Sequence, residues 1–280
     1  MTSATETPAS APTAQLPSLL SVSLARARIE LLTFFRGRES VVFVLAFPAM
    51  LLVIFGSVFG SSKLAFGVNF AQYFVAGMIA AGLLTASFQN LAIQIPIERD
   101  SGALKRLAGT PMPRAAYFAG KILLVGFVSI VQIVLLAGIG ALFYNVQLPD
   151  TAGRWFTFAW LVVLGTSACT LLGLAFSGFL RNGSSAPAVV SPIAIVLQFI
   201  SGVFFVFSDL PGWMQGVASV FPLKWMTQGM RSVFLPDAFV NQEPSHSWQH
   251  AETALVLGGW CVVGLFLALR TFRWTNRESG

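Results

Sequence analysis

Charge is what this sequence has least of. Only 10% of its 280 residues are Asp, Glu, Lys or Arg, against the ~25% usual in soluble domains, so the chain cannot furnish a water-facing globular surface. Histidine occurs twice, as His246 and His250, and cysteine twice, as Cys169 and Cys261. Each cysteine lies inside an apolar stretch, where it packs as a small side chain, and neither a disulfide nor a metal site is read from them. The histidine pair has Glu243 and Glu252 nearby but no convincing third ligand, so a solvated loop is the reading preferred over a metal centre. Reactive motifs are missing too. The nearest fragment to a phosphate-cradling G-x-x-x-x-G-K-[ST] is Ala119-Gly120-Lys121, which lacks the first glycine and the hydroxyl after the lysine. Neither a nucleophile elbow nor a paired-carboxylate site is present, so no enzyme activity is expected. The long apolar segments carry none of the buried Asp, Glu or His that proton-coupled carriers need. Energy for any directed work has to come from another chain.

What is abundant is apolar: 55% hydrophobic residues, 26 of them Phe, and a mean hydropathy of +0.75. The formal charge of +6 and pI near 9.9 could suggest nucleic acid. The Lys and Arg residues sit at segment ends, however, and retention of basic loops in the cytoplasm explains them, so no nucleic-acid partner is expected.

Residues 1–18 are rich in Thr, Ser, Ala and Pro and read as a disordered cytoplasmic tail with no cleaved signal. Across residues 19–36 a helical period appears. Leu20, Leu24, Ala27, Leu31 and Phe34 share one face and Ser23, Arg26, Glu30 and Thr33 another, which predicts an interfacial helix with its basic side toward headgroups. Six spans follow, at residues 41–60, 69–95, 122–144, 155–180, 187–207 and 253–269, each close to the ~20 residues that a bilayer requires. The second carries a polar stripe of Ser87, Asn90 and Gln94 flanked by Thr85 and Gln89. Such a stripe should face another helix or a wet path. Gly165 and Gly173 in the fourth allow close helix contact, while Pro187, Pro192 and Gly202 predict a bent or broken fifth. Residues 209–250 are too short in apolar length to cross, and read as an outer region that dips into the membrane or lies on it.

The longest charged interruption is residues 98–121, which hold Glu98, Arg99, Asp100, Lys105, Arg106, Arg114 and Lys121. Gly102 and Thr110-Pro111-Met112-Pro113 frame a short piece with Leu104, Leu107 and Ala108 at helical spacing, so a small amphipathic helix at the cytoplasmic surface is expected. With both ends inside, thirteen of the seventeen basic residues fall on the cytoplasmic side; Lys63, Arg154, Lys224 and Arg231 fall outside.

The run Glu98-Arg99-Asp100-Ser101-Gly102-Ala103-Leu104-Lys105-Arg106-Leu107, followed by Thr110-Pro111 and Gly120-Lys121, resembles the loop motif of ABC-2 type transporter permeases. Ser201-Gly202-Val203-Phe204-Phe205, Leu210-Pro211, Phe221-Pro222-Leu223 and Arg231 are similar to that family's second signature, most of all in its daunorubicin-resistance-like drug exporters. The likeness covers residues 19–275, leaving 276–280 as a cytoplasmic tail, and Ala103 stands where the family commonly has Thr. It implies an all-α integral membrane half-transporter of the bacterial plasma membrane, paired with a second permease copy and docked on a separate ATP-binding subunit. ATP and Mg would be bound by that subunit and no cofactor by this chain. Glu98, Arg99, Asp100, Gly102, Leu104 and Leu107 would form the ATPase contact. Asn90, Gln94, Gln198 and Phe205 are candidates for the path of a small amphipathic substrate, a drug, antibiotic or lipid, with interhelical hydrogen bonding as their plain alternative. Export of a lipid-linked polysaccharide, a non-transporting scaffold for an ATPase and a membrane-embedded enzyme are the competing functions. Glu98→Arg is expected to leave folding intact and to uncouple ATP hydrolysis from transport.

Overall fold

The computed structural model describes residues 18–60, 62–180 and 182–272. The expected tails, Arg181, Arg273 and Arg277 lie outside the described residues. Among the described residues the chain is helical, with no strand beyond one isolated bridge between Lys63 and Asn69.

Helix α1 (Leu19–Arg36) starts where the Ser18 hydroxyl oxygen accepts from the Ser21 N–H, and Gly37 ends it. A single turn, Arg38–Val41, leads into α2 (Val42–Phe59). The third element, α3 (Phe70–Asp100), runs without interruption through a five-residue π turn at Thr85–Gln89. After Gly102, in the left-handed region at φ 72°, comes the short α4 (Ala103–Ala108). Pro113 is extended and releases α5 (Arg114–Tyr144). Then follow α6 (Ala152–Ser177), α7 (Ala186–Ile200), the short pair α8 (Gly212–Val220) and α9 (Pro222–Phe234), and finally α10 (His250–Thr271).

Five of these helices, α2, α3, α5, α6 and α10, are long and apolar enough to cross a membrane. The least apolar of them is the most enclosed. The window of α3 is 94% buried, against 22–44% for the other four. Hydrocarbon surrounds a membrane bundle, so the outer helices carry the apolar faces and the helix enclosed by protein can hold the polar stripe of Thr85, Ser87 and Asn90. Phenylalanines fill much of the remaining space. Phe55 stacks on Phe74 at 5.0 Å between ring centroids, with Phe70 and Phe204 on the same cluster. Gly165 and Gly173 stand at close crossings as expected. A Cβ at the first would meet Met226 and at the second the backbone of Phe88.

The fifth apolar segment is broken as its Pro and Gly content predicted: a helix of 15 residues, about 22 Å of rise, ends where the chain turns away at Gly202 with φ 74°. Two expectations need correction. The segment read as a loop to residue 121 is already helical from Arg114, so Gly120 and Lys121 lie inside α5. On α1 the inward face is Ser23, Ala27, Glu30 and Phe34, whereas Leu20 and Leu24 are exposed. Glu30 turns inward because its charge is met there, as described below.

Helix α9 is also unlike a surface element. Every one of its residues is buried, Lys224, Gln228 and Arg231 included, and it packs against α3, α6 and α10.

Candidate functional site

The charged triplet that ends α3 is built into the molecule residue by residue. Glu98 accepts a hydrogen bond from the Tyr117 hydroxyl at 2.8 Å and pairs with Lys121 Nζ. Lys121, only 2% exposed, also donates to Glu30 Oε2 at 2.9 Å. Arg26 pairs with Glu30 one turn away on α1 and comes within 3.9 Å of Glu98. Two cations and two carboxylates from α1, α3 and α5 therefore form one closed network, with Arg26 and Lys121 both lying over the Tyr117 ring.

Gly120 explains how α1 comes so close. A Cβ there would lie 2.6 Å from the Arg26 Cγ, so a side chain at this position would push α1 off α5 and pull Arg26 out of the network. The adjacent Gly120 and Lys121 thus act together: the first permits the crossing, the second supplies its charge.

Arg99 points elsewhere. Its guanidinium donates to the carbonyls of Ser177, at 3.4 Å, and Leu180, capping the end of α6 where backbone acceptors are left over. Asp100 accepts from the Gly183 N–H in the turn before α7. A Cβ at Gly183 would lie 2.6 Å from Ile97 Cα, so this approach also requires glycine. Glu98, Arg99 and Asp100 thereby tie one end of α3 to α1 and α5, to α6 and to the start of α7. Within α4, Leu104 is fully buried against Leu91, Ile95, Tyr117 and Leu174, and Leu107 is half-buried beside it. What α4 turns outward is Lys105, Arg106 and Ala108, followed by Gly109, Thr110 and Pro111, all exposed.

A cavity of ≈170 Å³ lies against the network, with Glu30, Thr33, Asn90, Gln94, Glu98 and Lys121 on its walls. Asn90 is buried and its Nδ2 has no hydrogen-bond partner, which leaves a donor directed at water or a ligand. Two of the four path candidates thus meet here. The other two do not line this cavity: Gln198 lies half-buried on α7, and Phe205 is 52% exposed beside Phe199.

Sequence reasoning missed Arg26, Glu30, Tyr117 and Lys121 as members of one site. Glu30 and Lys121 are 91 positions apart, and no local pattern announces such a pair. An acidic residue on the polar side of α1 was the available signal, and it looked like ordinary interfacial charge.

The opposite end of α3 holds a second buried ion pair. Arg231, fully enclosed, donates to Glu243 through Nε at 2.6 Å and Nη2 at 3.2 Å. The Tyr73 hydroxyl lies within reach of the carbonyls of Phe205, at 3.0 Å, and Gly202, at 3.2 Å, and accepts from the Phe207 N–H. Gln72 donates to the Phe234 carbonyl at 2.5 Å. The histidines are occupied separately, His246 against the Asn241 carbonyl and His250 against the Ser232 hydroxyl. Among the described residues no three His, Cys, Asp or Glu gather as a metal site.

This is a multi-pass helical membrane protein with two internal ion clusters, one near each end of its central helix. Residues 63–270, well over half of the chain, match the family model described as ABC-2 family transporter protein, and the chain belongs to that family. It is similar to the putative transport permease ycf38 of Porphyra purpurea, 25% identical over 67% of this chain and 65% of that protein. It is also similar to the inner membrane transport permease YadH of Escherichia coli, 26% identical over 65% of this chain and 70% of that one. The chain thus spans just under two thirds of the length of the ycf38 protein.

Proposed function

We propose that this chain is the membrane subunit of an ATP-driven exporter that moves an amphipathic drug, antibiotic or lipid out of the cell. In this reading α7 and the residues that follow it complete a sixth crossing, both termini are cytoplasmic, and two copies pair around the substrate path. ATP and Mg are bound by a separate subunit. That subunit grips the exposed side of α4 through Lys105, Arg106 and the turn at Thr110-Pro111, with the outer face of α1 beside it.

The observation that supports this best is the Arg26–Glu30–Lys121–Glu98 network. A partner pressing on α1 pushes on groups that are ion-paired directly to the end of α3, one pressing on α4 pushes through Leu104 on Tyr117 beside them, and α3 packs against α2, α4, α5, α6, α7 and α9. Displacement of a small surface helix is thereby delivered to the core, which is the mechanical requirement of a subunit with no fuel of its own. Glu98→Arg is a poor probe of the partner contact, because it would place a third cation beside Arg26 and Lys121. Lys105→Glu together with Arg106→Glu changes only exposed charge.

The test is co-reconstitution with an ATP-binding subunit that co-purifies with this chain. The double variant is expected to keep its expression and melting temperature while losing substrate-stimulated ATP hydrolysis. Unchanged stimulation would remove α4 from the contact.

A further inference from the structure

Near the Arg231 end lies a second and larger cavity of ≈370 Å³, with Phe207, Gln215, Lys224, Gln228, Ser245 and Gln249 among its walls. Lys224 is 5% exposed. Its ammonium donates to Gln228 Oε1 at 2.7 Å and otherwise meets ring faces, Trp225 at 3.6 Å and Phe207 at 5.6 Å. Glu243 borders the same cavity, but both of its oxygens accept from Arg231. The Arg231 and Glu243 charges cancel, and among the described residues no carboxylate pairs with Lys224, whose charge faces a half-enclosed space far larger than a single water needs. A buried ammonium with spare N–H donors and no carboxylate in contact is costly unless an anion completes it.

We propose that this cavity binds one anionic group, a phosphate or a carboxylate, with Lys224 as its cation. Gln249, which lines the same cavity and whose Oε1 already accepts from Gln228, supplies its amide N–H as a second donor. Burial depresses Lys224 to about 8, opposed by the carboxylates of Glu243 and Glu252 and assisted by Arg231, so the side chain is still charged at neutral pH and is poised to gain from a counter-ion in direct contact. The inference does not rest on the export reading; it needs only this cavity and its charge. Such a group could arrive free in solution or on a lipid headgroup, and the same site would serve both.

The full chain in neutral-detergent micelles at pH 7 distinguishes these sources. Binding is measured by native mass spectrometry and thermal shift with inorganic phosphate, with phosphatidylglycerol, and with phosphatidylcholine as a zwitterionic control. Lys224→Met is expected to weaken binding about tenfold or more, as for loss of a charge-assisted hydrogen bond, and Lys224→Arg to retain it. Ser245→Asp, which adds a carboxylate at the exposed rim without altering Lys224, is expected to weaken binding as well and answers the question if Lys224→Met fails to fold. A response to phosphate assigns a free anion and a response to phosphatidylglycerol alone assigns a headgroup; either supports the site. Binding of neither, or binding undiminished in Lys224→Met or Ser245→Asp, overturns it.

Discussion

Helix α3 carries a buried ion cluster at each end, and the two are wired differently. At one end Arg231 and Glu243 meet bidentately, twelve positions apart in sequence, with side chains 0% and 3% exposed. Each has one ionic partner and the geometry leaves no second choice. At the other end Lys121 lies between two carboxylates, Glu30 and Glu98, and Arg26 reaches the same two. Those four groups come from three separate helices, and Glu98 is 20% exposed. A pair with one arrangement fixes structure. A quartet in which each cation faces two anions has alternative pairings of similar energy, which suits an element that must shift and return. The difference teaches where motion is expected: at the Glu98 end, with the Arg231 end as the anchor.

The sharpest way to break this contrast is to remove one charge from each cluster. Arg231→Met strands a buried Glu243 and is expected to destabilise the protein by about 3–5 kcal/mol, read by denaturation of the purified protein in detergent. Arg231→Met with Glu243→Leu should recover most of the loss. Steric disruption of the Glu98 end comes next. Gly120→Val is expected to cost about 1–3 kcal/mol as an overpacked crossing and to raise hydrogen exchange in α1 but not in α9. Gly126→Val, where nothing lies within 4 Å, is the matched control. Glu98→Gln should cost less, about 1–2 kcal/mol, because Lys121 keeps Glu30. If it proved as damaging as Arg231→Met, the claim of redundant pairing would fail.

The smallest effect is a pH dependence near the anchor. Lys224 titrates at about 8 in the folded chain against 10.5 in its ordinary state. Between those values the unfolded chain binds more protons than the folded one, so stability rises with pH across roughly 8 to 10.5 and is insensitive to this group below 8. Wild type minus Lys224→Met should show that rise. A flat difference would mean that burial does not depress this lysine.

Much of the scaffold was legible in the sequence. The period of α1 located it over residues 19–36, and the absence of charge between Lys63 and Glu98 marked the span that forms the core. Gly102 and Pro113 signalled the breaks around α4, since a left-handed residue and an N–H-less residue leave few other conformations. The faces were harder. The polar side of α1 read as facing headgroups, because periodicity separates two faces but cannot say what each one meets, and the decisive contact is Glu30 with a lysine on another helix. Residues 222–234 fall in the stretch read as dipping into the membrane or lying on it, and their Lys, Gln and Arg gave no sign of full burial, which the tertiary pairing of Arg231 with Glu243 makes tolerable. The triplet 98–100 looked like free charge for a partner, but each of its side chains is bound inside the chain.

The central claim is that an ATP-binding subunit holds the exposed side of α4 and drives α3 through the Glu98 cluster. Site-directed crosslinking in membranes tests it most directly, with Lys105→Cys and, at the opposite end, Trp213→Cys, each in a Cys169→Ala/Cys261→Ala background. The account predicts a crosslink from position 105 to a nucleotide-binding protein that strengthens or weakens on adding ATP, and none from position 213. A crosslink from 213 alone, or ATP-independent silence at 105, would contradict it.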